Sequence, residues 1–116
     1  MKSLRVYIAG PMTNGGQGYD MGKIHEAIKA YFTLIELGHT PHCSQLTVFC
    51  DFLAPSRIAY HEWLRLDERY ISNSDVVLRM RGDSVGADYE CAYAIAEGIP
   101  VVKSLAAIVE MTRKME

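Results

Sequence analysis

The chain has 116 residues, of which 49% are hydrophobic and 22% are charged, and its formal net charge is −2 at pH 7. This length suits one domain with a proper core. The balanced charge predicts no basic face for a nucleic-acid polymer, and no apolar run is long enough to span a membrane. Three cysteines without C-x-x-C spacing, and a start that lacks the apolar core of a signal peptide, predict a cytoplasmic protein without disulfides.

The first predicted element is a strand at residues 4–10, which is rich in β-branched and aromatic residues and ends at a Gly-Pro pair. The glycine-rich loop at 11–18 follows it. This loop matches neither G-x-G-x-x-G nor the Walker pattern, so it is not a standard phosphate loop. A polar cradle for a ligand and a flexible surface turn both remain open on composition.

Apolar residues at helical spacing predict a helix at 24–37, which Gly38 ends. A brief second strand follows, and a short helix lying over the site is predicted within residues 43–56. Four residues of this region invite a metal interpretation, but their spacing matches no structural zinc pattern. Cap, core and pocket-wall roles are therefore favoured for His39, His42, Cys43 and Cys50.

The second half of the chain continues the alternation of helix and strand. It gives a helix at 57–72, a buried strand at 75–80, a helix at 87–97, a strand at 99–102 and an amphipathic helix at 105–115. Strand and helix in strict alternation predict a doubly wound α/β fold with right-handed crossovers. We expect a flavodoxin-like (Rossmann-like) parallel sheet of four to five strands, forming a single domain over residues 1–116.

In such sheets, ligands bind beyond the carboxyl ends of the strands. The loops after the first and third strands, at 10–18 and 81–86, meet there if those two strands are neighbours. Tyr7, near the end of the first strand, then points its phenol toward Glu90. Small residues on the helix at 87–97 would let that helix lie close to the sheet and fix the carboxylate.

The turn before this helix offers free backbone N–H groups and the positive end of the helix dipole. Ser84 can cap the helix or contact a ligand, and Gly86 lets the backbone approach one. Glu90 lies about one turn inside, so we expect its ionised form to be favoured, as suits attack on a sugar carbon. Carboxylates also occur in first turns simply because they stabilise helices.

These residues carry a resemblance to a known family. The segment YIAGPMT at 7–13, then Asp67 on the preceding helix, then the segment SVGADYE at 84–90, resemble the nucleoside 2-deoxyribosyltransferase superfamily. The pattern is most similar to small phage- or prophage-type relatives whose function is not established. The resemblance covers essentially the whole chain in order.

The resemblance implies roles for individual residues. Glu90 would attack the anomeric carbon, Tyr7 would orient that carboxylate, and Asp67 would contact the base and help to protonate it. Serine six positions before the glutamate favours a nucleoside 5′-monophosphate, although the first loop lacks the arginine that accompanies such substrates. Arg81, or alternatively Arg79, is the candidate for the missing positive charge. The expected substrate-binding residues are Gly10, Pro11, Met12, Ser84, Gly86 and Arg81.

The predicted function is cleavage of the N-glycosidic bond of a (deoxy)nucleoside or nucleoside 5′-monophosphate, as a hydrolase or deoxyribosyltransferase, with no metal or cofactor. Two alternatives remain: a nucleotide-binding module without turnover, such as a sensor or phage accessory protein, and a structural or partner-binding role. The resemblance also implies a homodimer or higher homo-oligomer. The apolar segment 46–53 and the aromatic residues of 57–70 are the candidate contacts.

Overall fold

The structure is a computed structural model that describes residues 3–15 and 17–116. The prediction for the first loop therefore has one position outside the described residues. Within the described part there are four strands and five α-helices, with one 3₁₀ turn at Ser44–Thr47. The strands are β1 (Arg5–Ala9), β2 (Thr40–Cys43), β3 (Val76–Arg79) and β4 (Val101–Val102). The helices are α1 (Met21–Glu36), α2 (Val48–Leu53), α3 (Tyr60–Ser72), α4 (Val85–Ala96) and α5 (Leu105–Lys114).

The four strands form one parallel sheet in the order β2-β1-β3-β4. β1 pairs with both β2 and β3, with Tyr7 opposite His42 on one side and Val77 on the other. The two central strands are almost wholly buried, which explains their continuous apolar sequence. The predicted flavodoxin-like order is confirmed, and it places the ends of β1 and β3 side by side.

Side chains of a strand point alternately to opposite faces of the sheet, and this separates the core into two clusters. Val6 and Ile8 of β1 pack on the face covered by α1 and α5. Tyr7 and Ala9 pack on the other face with Ile71 of α3 and with small residues of α4. The parity of β1 therefore sends the Tyr7 ring toward the helices that carry the candidate carboxylates.

Local signals set the ends of α1. Asp20 caps it, with its Oδ1 accepting the Lys23 N–H at 3.2 Å, so the helix begins three residues before the predicted start. Gly38 ends it in the left-handed region at φ +90°, as predicted.

Among the described residues, no helix has the length and apolar content to cross a membrane.

The helix that was predicted from 57 begins at Tyr60 instead. Ala59 has an extended backbone, with φ −74° and ψ 158°, so residues 57–59 are not part of the helix. Ser56 before them adopts a positive φ of 54°, and its N–H donates to Oδ1 of Asp51 at 3.2 Å. The segment between α2 and α3 is consequently a turn. It holds α2 over the carboxyl end of the sheet, where the short helix was expected.

Candidate active site

A cavity of about 900 Å³ opens at the carboxyl ends of β1 and β3. Its walls come from four parts of the chain: the loop after β1, α2 with the turn that follows it, the first two turns of α3, and the start of α4. The residues that line it include Gly10, Pro11, Met12, Tyr19, Asp51, Tyr60, Trp63, Asp67, Asp83, Ser84, Gly86 and Glu90.

Tyr7 and Glu90 meet beneath this cavity. The Tyr7 ring is fully buried, and its hydroxyl donates a 2.6 Å hydrogen bond to Oε2 of Glu90. The contact forms because α4 turns two buried alanines, Ala87 and Ala94, toward the sheet and so packs close to β1. The prediction that Tyr7 points toward Glu90 is confirmed.

Asp67 of α3 completes a cluster of three groups. Its carboxyl lies close enough to Glu90 and Tyr7 for its negative charge to raise the pKa of both, and it lines the cavity together with Glu90. The three residues lie on β1, α3 and α4, so only the tertiary fold brings them together. The structure thus groups the three residues that the sequence singled out for chemistry.

The two carboxyl groups are harder to ionise than usual. Burial, reinforced by the hydrogen bond and negative charge of Asp67, raises the pKa of Glu90 to about 8, whereas the Tyr7 hydrogen bond and the Arg79 charge oppose this rise. Burial raises the pKa of Asp67 as well. The prediction that the helix N-terminus favours ionised Glu90 is therefore wrong, because desolvation and a like charge outweigh a partial helix charge. At neutral pH the pair retains a proton.

Tyr7 remains a neutral donor beside this pair. Burial, followed by the negative charges of Glu90 and Asp67, raises the pKa of its phenol well above the ordinary value of 10.0. A hydrogen bond with the Ser44 side chain opposes this shift. The phenol therefore keeps its proton and holds one oxygen of the Glu90 carboxyl in place at any physiological pH.

The turn before α4 has the predicted cap. Oγ of Ser84 accepts the Ala87 N–H at 3.0 Å, which satisfies one of the free donors of the first turn. Gly86 lies where α4 passes Tyr60 of α3, and a Cβ there would come within 3.3 Å of the Tyr60 hydroxyl. Both predicted residues, Ser84 and Gly86, line the cavity.

The loop after β1 forms another wall, which favours the cradle interpretation over a free surface turn. Gly10 has no space for a side chain, because a Cβ there would lie 2.7 Å from Cβ of Met80. The loop is tied at its far end by the Tyr19 hydroxyl, which donates to Oδ2 of Asp51 at 2.6 Å. The predicted binding residues Gly10, Pro11 and Met12 all line the cavity.

Arg81 is the predicted site residue that the structure places elsewhere. Its side chain is 89% exposed and faces Glu26 of α1 at 3.8 Å, away from the cavity wall. Arg79 points toward α4 instead, where it pairs with Asp88 at 2.9 Å. Side chains of β3 alternate between the two faces of the sheet, and Arg79 shares a face with Val77, the register partner of Tyr7. Arg81 lies beyond the end of the strand, where this alternation no longer applies.

The charge of the cavity wall is one-sided. Among the described residues that line it there is no lysine, arginine or histidine, whereas four carry carboxyl groups: Asp51, Asp67, Asp83 and Glu90. The N-terminus of α4 adds a partial positive charge of about half a unit. Even with one proton shared by Asp67 and Glu90, the wall is acidic overall.

Sequence reasoning missed the aromatic part of the wall. Tyr60 and Trp63 line the cavity, whereas the sequence analysis gave the aromatic residues of 57–70 as candidate contacts between subunits. The signal was helical spacing: Trp63 and Tyr60 lie four and seven residues before Asp67, on one face of α3. Asp51 of α2 gave no comparable signal, because its segment could be placed only approximately.

The four residues tested for metal binding have other roles. His39 accepts the Leu4 N–H at 3.1 Å, His42 stacks between two tyrosines, Cys43 is in the core and Cys50 is exposed. Within residues 3–15 and 17–116, no group of three or more His, Cys, Asp or Glu side chains has an arrangement that could hold a metal ion.

Comparison with known proteins shows where the chain belongs. The model of a family described as "Domain of unknown function (DUF4406)" matches residues 4–103, and no curated protein matches the chain. Several solved structures are similar, and two of them illustrate the likeness. One is a 2-deoxyribosyltransferase from the psychrotolerant bacterium Bacillus psychrosaccharolyticus, with 22% identity and a TM-score of 0.63 over 84% of this chain and 69% of that one.

The other is a conserved protein from Enterococcus faecalis V583, with 20% identity and a TM-score of 0.63. It is covered over 63% of its length, and this chain over 88%, so the chain spans less than two thirds of that protein. At these identities the likeness concerns the fold. The chain has a nucleoside 2-deoxyribosyltransferase-like fold, and it belongs to the DUF4406 family.

Proposed function

We propose that the protein cleaves the N-glycosidic bond of a nucleoside, with Glu90 as nucleophile and Asp67 as the source of the proton for the leaving base. One observation carries the proposal: a buried carboxyl pair, held by the Tyr7 phenol, lies at the wall of a cavity of about 900 Å³. That volume is within the range of small-molecule sites. The fold is shared with a 2-deoxyribosyltransferase, which is consistent with nucleoside chemistry.

The state of the pair suits this reaction. Breaking the bond requires a carboxylate that attacks the anomeric carbon and an acid that protonates the base. The proton shared by the pair moves from Glu90 to Asp67, and from Asp67 to the base nitrogen as the C–N bond breaks. Glu90, then ionised, forms the bond to the anomeric carbon, and the base leaves neutral. Tyr7 holds the second Glu90 oxygen throughout.

The second half of the reaction returns the site to its starting state. Water or a second base attacks the anomeric carbon of the glycosyl ester, and Asp67 accepts the proton of that nucleophile. The Glu90–carbon bond breaks, and the pair again holds one proton. Water as acceptor makes the protein a hydrolase, and a second base makes it a transferase.

The wall favours an uncharged nucleoside over a 5′-monophosphate. Asp51, Asp83 and the carboxyl pair place about three negative charges around the cavity, against about half a positive charge from α4. A phosphate dianion would therefore meet net repulsion. The Ser84 hydroxyl oxygen, which the resemblance assigns to phosphate, already accepts the Ala87 N–H. Tyr60 and Trp63 offer aromatic surface for a base.

The test is a substrate panel. The protein is incubated with deoxynucleosides, ribonucleosides and their 5′-monophosphates, and free base is measured by chromatography, with and without a second base as acceptor. We expect base release from uncharged nucleosides and none with Glu90→Ala. Release that survives in Glu90→Ala would remove Glu90 as the nucleophile, and monophosphates as the best substrates would contradict the charge argument.

A second candidate function is nucleoside binding without turnover. It is favoured by the raised pKa of Glu90, because a protonated carboxyl is a poor nucleophile. This candidate predicts a thermal shift with a nucleoside, no change in the ligand, and unchanged binding by Glu90→Gln. Base release by the wild-type protein would exclude it.

Assembly is a further part of the proposal. Phe52 and Leu53 on α2 and Val85 on α4 are 76%, 81% and 86% exposed, and both helices border the cavity. Apolar exposure on this scale is typical of a contact surface. We expect a homodimer or higher homo-oligomer that buries it, and sedimentation of a monomer at micromolar concentration would contradict this.

A further inference from the structure

Three aromatic rings lie in a stack next to the carboxyl pair. His42 of β2 is in the middle. Its ring lies 5.5 Å from the Tyr7 ring of β1 with a 24° angle between the planes, and 4.0 Å from the Tyr70 ring of α3 with a 13° angle. His42 and Tyr7 are register partners in the parallel sheet, which brings the two rings to the same face. The stack therefore links two strands to a helix.

The His42 ring does not act there as a hydrogen-bonding group through Nε2. That atom is buried, and it has no hydrogen-bond partner among the described residues. Burial also lowers the pKa of His42, so the ring is neutral at physiological pH. A buried nitrogen without a hydrogen-bond partner destabilises the folded state. The His42 ring contacts Tyr7 and Tyr70 through its two faces.

The position of His42 separates its role from ligand binding in the 900 Å³ cavity. It is not among the residues that line the 900 Å³ cavity. It touches Tyr7, whose hydroxyl holds Glu90, and it touches Tyr70, which lies three residues after Asp67 and so on the same face of α3. The imidazole thereby sets the distance between β1, whose Tyr7 holds the Glu90 carboxyl, and α3, which carries Asp67.

We propose that His42 is a positioning residue for the carboxyl pair. Its flat ring, held between two phenol rings, fixes the Tyr7 hydroxyl against Glu90 and fixes the distance from β1 to α3, and thus to Asp67. The inference rests on the proposed function for its effect on turnover, although the geometry itself does not. Loosening the stack should slow the chemical step and leave ligand binding nearly unchanged, because the cavity wall is intact.

Two substitutions at His42 separate a ring from mere bulk. His42→Phe keeps a flat ring in the stack and removes the unpartnered nitrogen, whereas His42→Leu fills similar space without a ring. We expect His42→Phe to keep kcat within about 3-fold of the wild-type value and His42→Leu to lower kcat about 10- to 100-fold, with KM changed less than about 3-fold in both. Equal loss in both variants, or a loss in KM alone, would overturn the proposal.

A second readout does not depend on turnover. Trp63 lies four residues before Asp67 and lines the same cavity, so we expect its fluorescence to report the ionisation of the carboxyl pair as pH is varied. We expect the same midpoint in the wild-type protein and His42→Phe, and a displaced or broadened transition in His42→Leu. An unchanged transition in His42→Leu would refute the positioning role even if the protein turns over no nucleoside.

The outer ring of the stack provides a check that avoids the core. Tyr70 is 52% exposed, so Tyr70→Leu is expected to fold even if His42→Leu does not, and Tyr70→Phe is its matched control. We expect Tyr70→Leu to reproduce the His42→Leu effects on kcat and on the Trp63 transition, and Tyr70→Phe to leave both unchanged. A wild-type protein that releases no base but shows these shifts would contradict the proposed function alone. Wild-type-like behaviour of Tyr70→Leu would contradict the positioning proposal alone.

Discussion

The Tyr7 hydroxyl and the Glu90 carboxyl are joined by a 2.6 Å hydrogen bond, although 83 positions separate the two residues in the chain. Both are almost completely buried. A polar pair in this position stabilises the fold only while both partners remain, because loss of either leaves the other without a partner away from water. The bond therefore links the packing of α4 on β1 to the geometry of the site.

Replacing Tyr7 by Phe tests this link directly. The phenol stabilises ionised Glu90, so its loss should raise the pKa of Glu90 further and lower kcat about 10- to 100-fold at neutral pH. The acid limb of the pH–rate profile should move to higher pH. Steady-state kinetics across pH would show both effects, and a Tyr7→Phe profile that overlays the wild-type profile would contradict the role of the phenol.

Stability should depend on pH through Glu90. The pKa of its carboxyl is raised from 4.5 to about 8 in the folded state, so the folded state holds more protons than the unfolded state between these values. Stability is then highest below about pH 4.5 as far as this group is concerned, and falls as pH rises toward about 8. Glu90→Gln should remove most of this slope and raise the Tm at pH 8 by roughly 5 °C.

The control for this experiment is Glu36→Gln, which changes an exposed carboxylate at the end of α1. It should leave the pH slope of stability as it is in the wild-type protein. Thermal melts at several pH values measure all three proteins. If the Tm of the wild-type protein and the Tm of Glu90→Gln change by the same amount between pH 5 and pH 8, Glu90 is not held protonated by the fold.

Much of the fold could be predicted because its signals are local. Alternating strand and helix patterns, with Gly38 and Gly98 at helix ends, give the doubly wound topology and the meeting of Tyr7 with Glu90. The start of α3 could not be placed, because a turn precedes it, in which Ala59 is extended and Ser56 has a positive φ. That conformation is sustained by a contact with α2 rather than by the local sequence.

The charge state of the site is the part that sequence reasoning could not reach. The helix position of Glu90 predicts an ionised carboxylate, yet its pKa is set by burial under α3 and by the Asp67 carboxyl, which are tertiary effects. The direction of Arg81 was missed for a simpler reason, since it lies beyond β3 and strand parity no longer governs it. Parity does identify Arg79 as the arginine that faces α4.

The cap of α4 gives a prediction that separates stability from binding. Ser84→Ala removes the acceptor for the Ala87 N–H and should lower the free energy of unfolding by about 1 kcal/mol. Ser84→Gly should cost only a few tenths, since glycine is itself tolerated at N-caps. Urea titration measures both. If Ser84 only caps the helix, KM for nucleosides should be unchanged in both variants, and a KM rise of about 10-fold would assign Ser84 to the ligand as well.

The close approach at Gly10 is a test of packing. A Cβ there would lie 2.7 Å from Cβ of Met80, so Gly10→Ala should lower the free energy of unfolding by about 1 to 3 kcal/mol. Adding Met80→Gly removes the Cβ that the new methyl group would meet, so the double variant should lose less than the sum of the two single losses. Additive losses from urea titration would show that the two residues do not touch.

Charge selectivity is tested at Asp83, an exposed residue of the cavity wall that is not part of the buried carboxyl pair. Its carboxylate should repel a phosphate dianion. A single negative charge about 10 Å from a dianion raises its free energy by about 0.8 kcal/mol in water, which is about 4-fold in affinity. Asp83→Asn should therefore improve KM for nucleoside monophosphates about 4-fold at low salt and leave KM for uncharged nucleosides unchanged. The gain should fade as salt screens the charge.

The control is Glu36→Gln, which lies outside the cavity wall and should leave KM for both kinds of substrate unchanged. If Asp83→Asn improves both substrates alike, the acidic wall does not select by charge, and the preference for uncharged nucleosides would have to arise from shape alone.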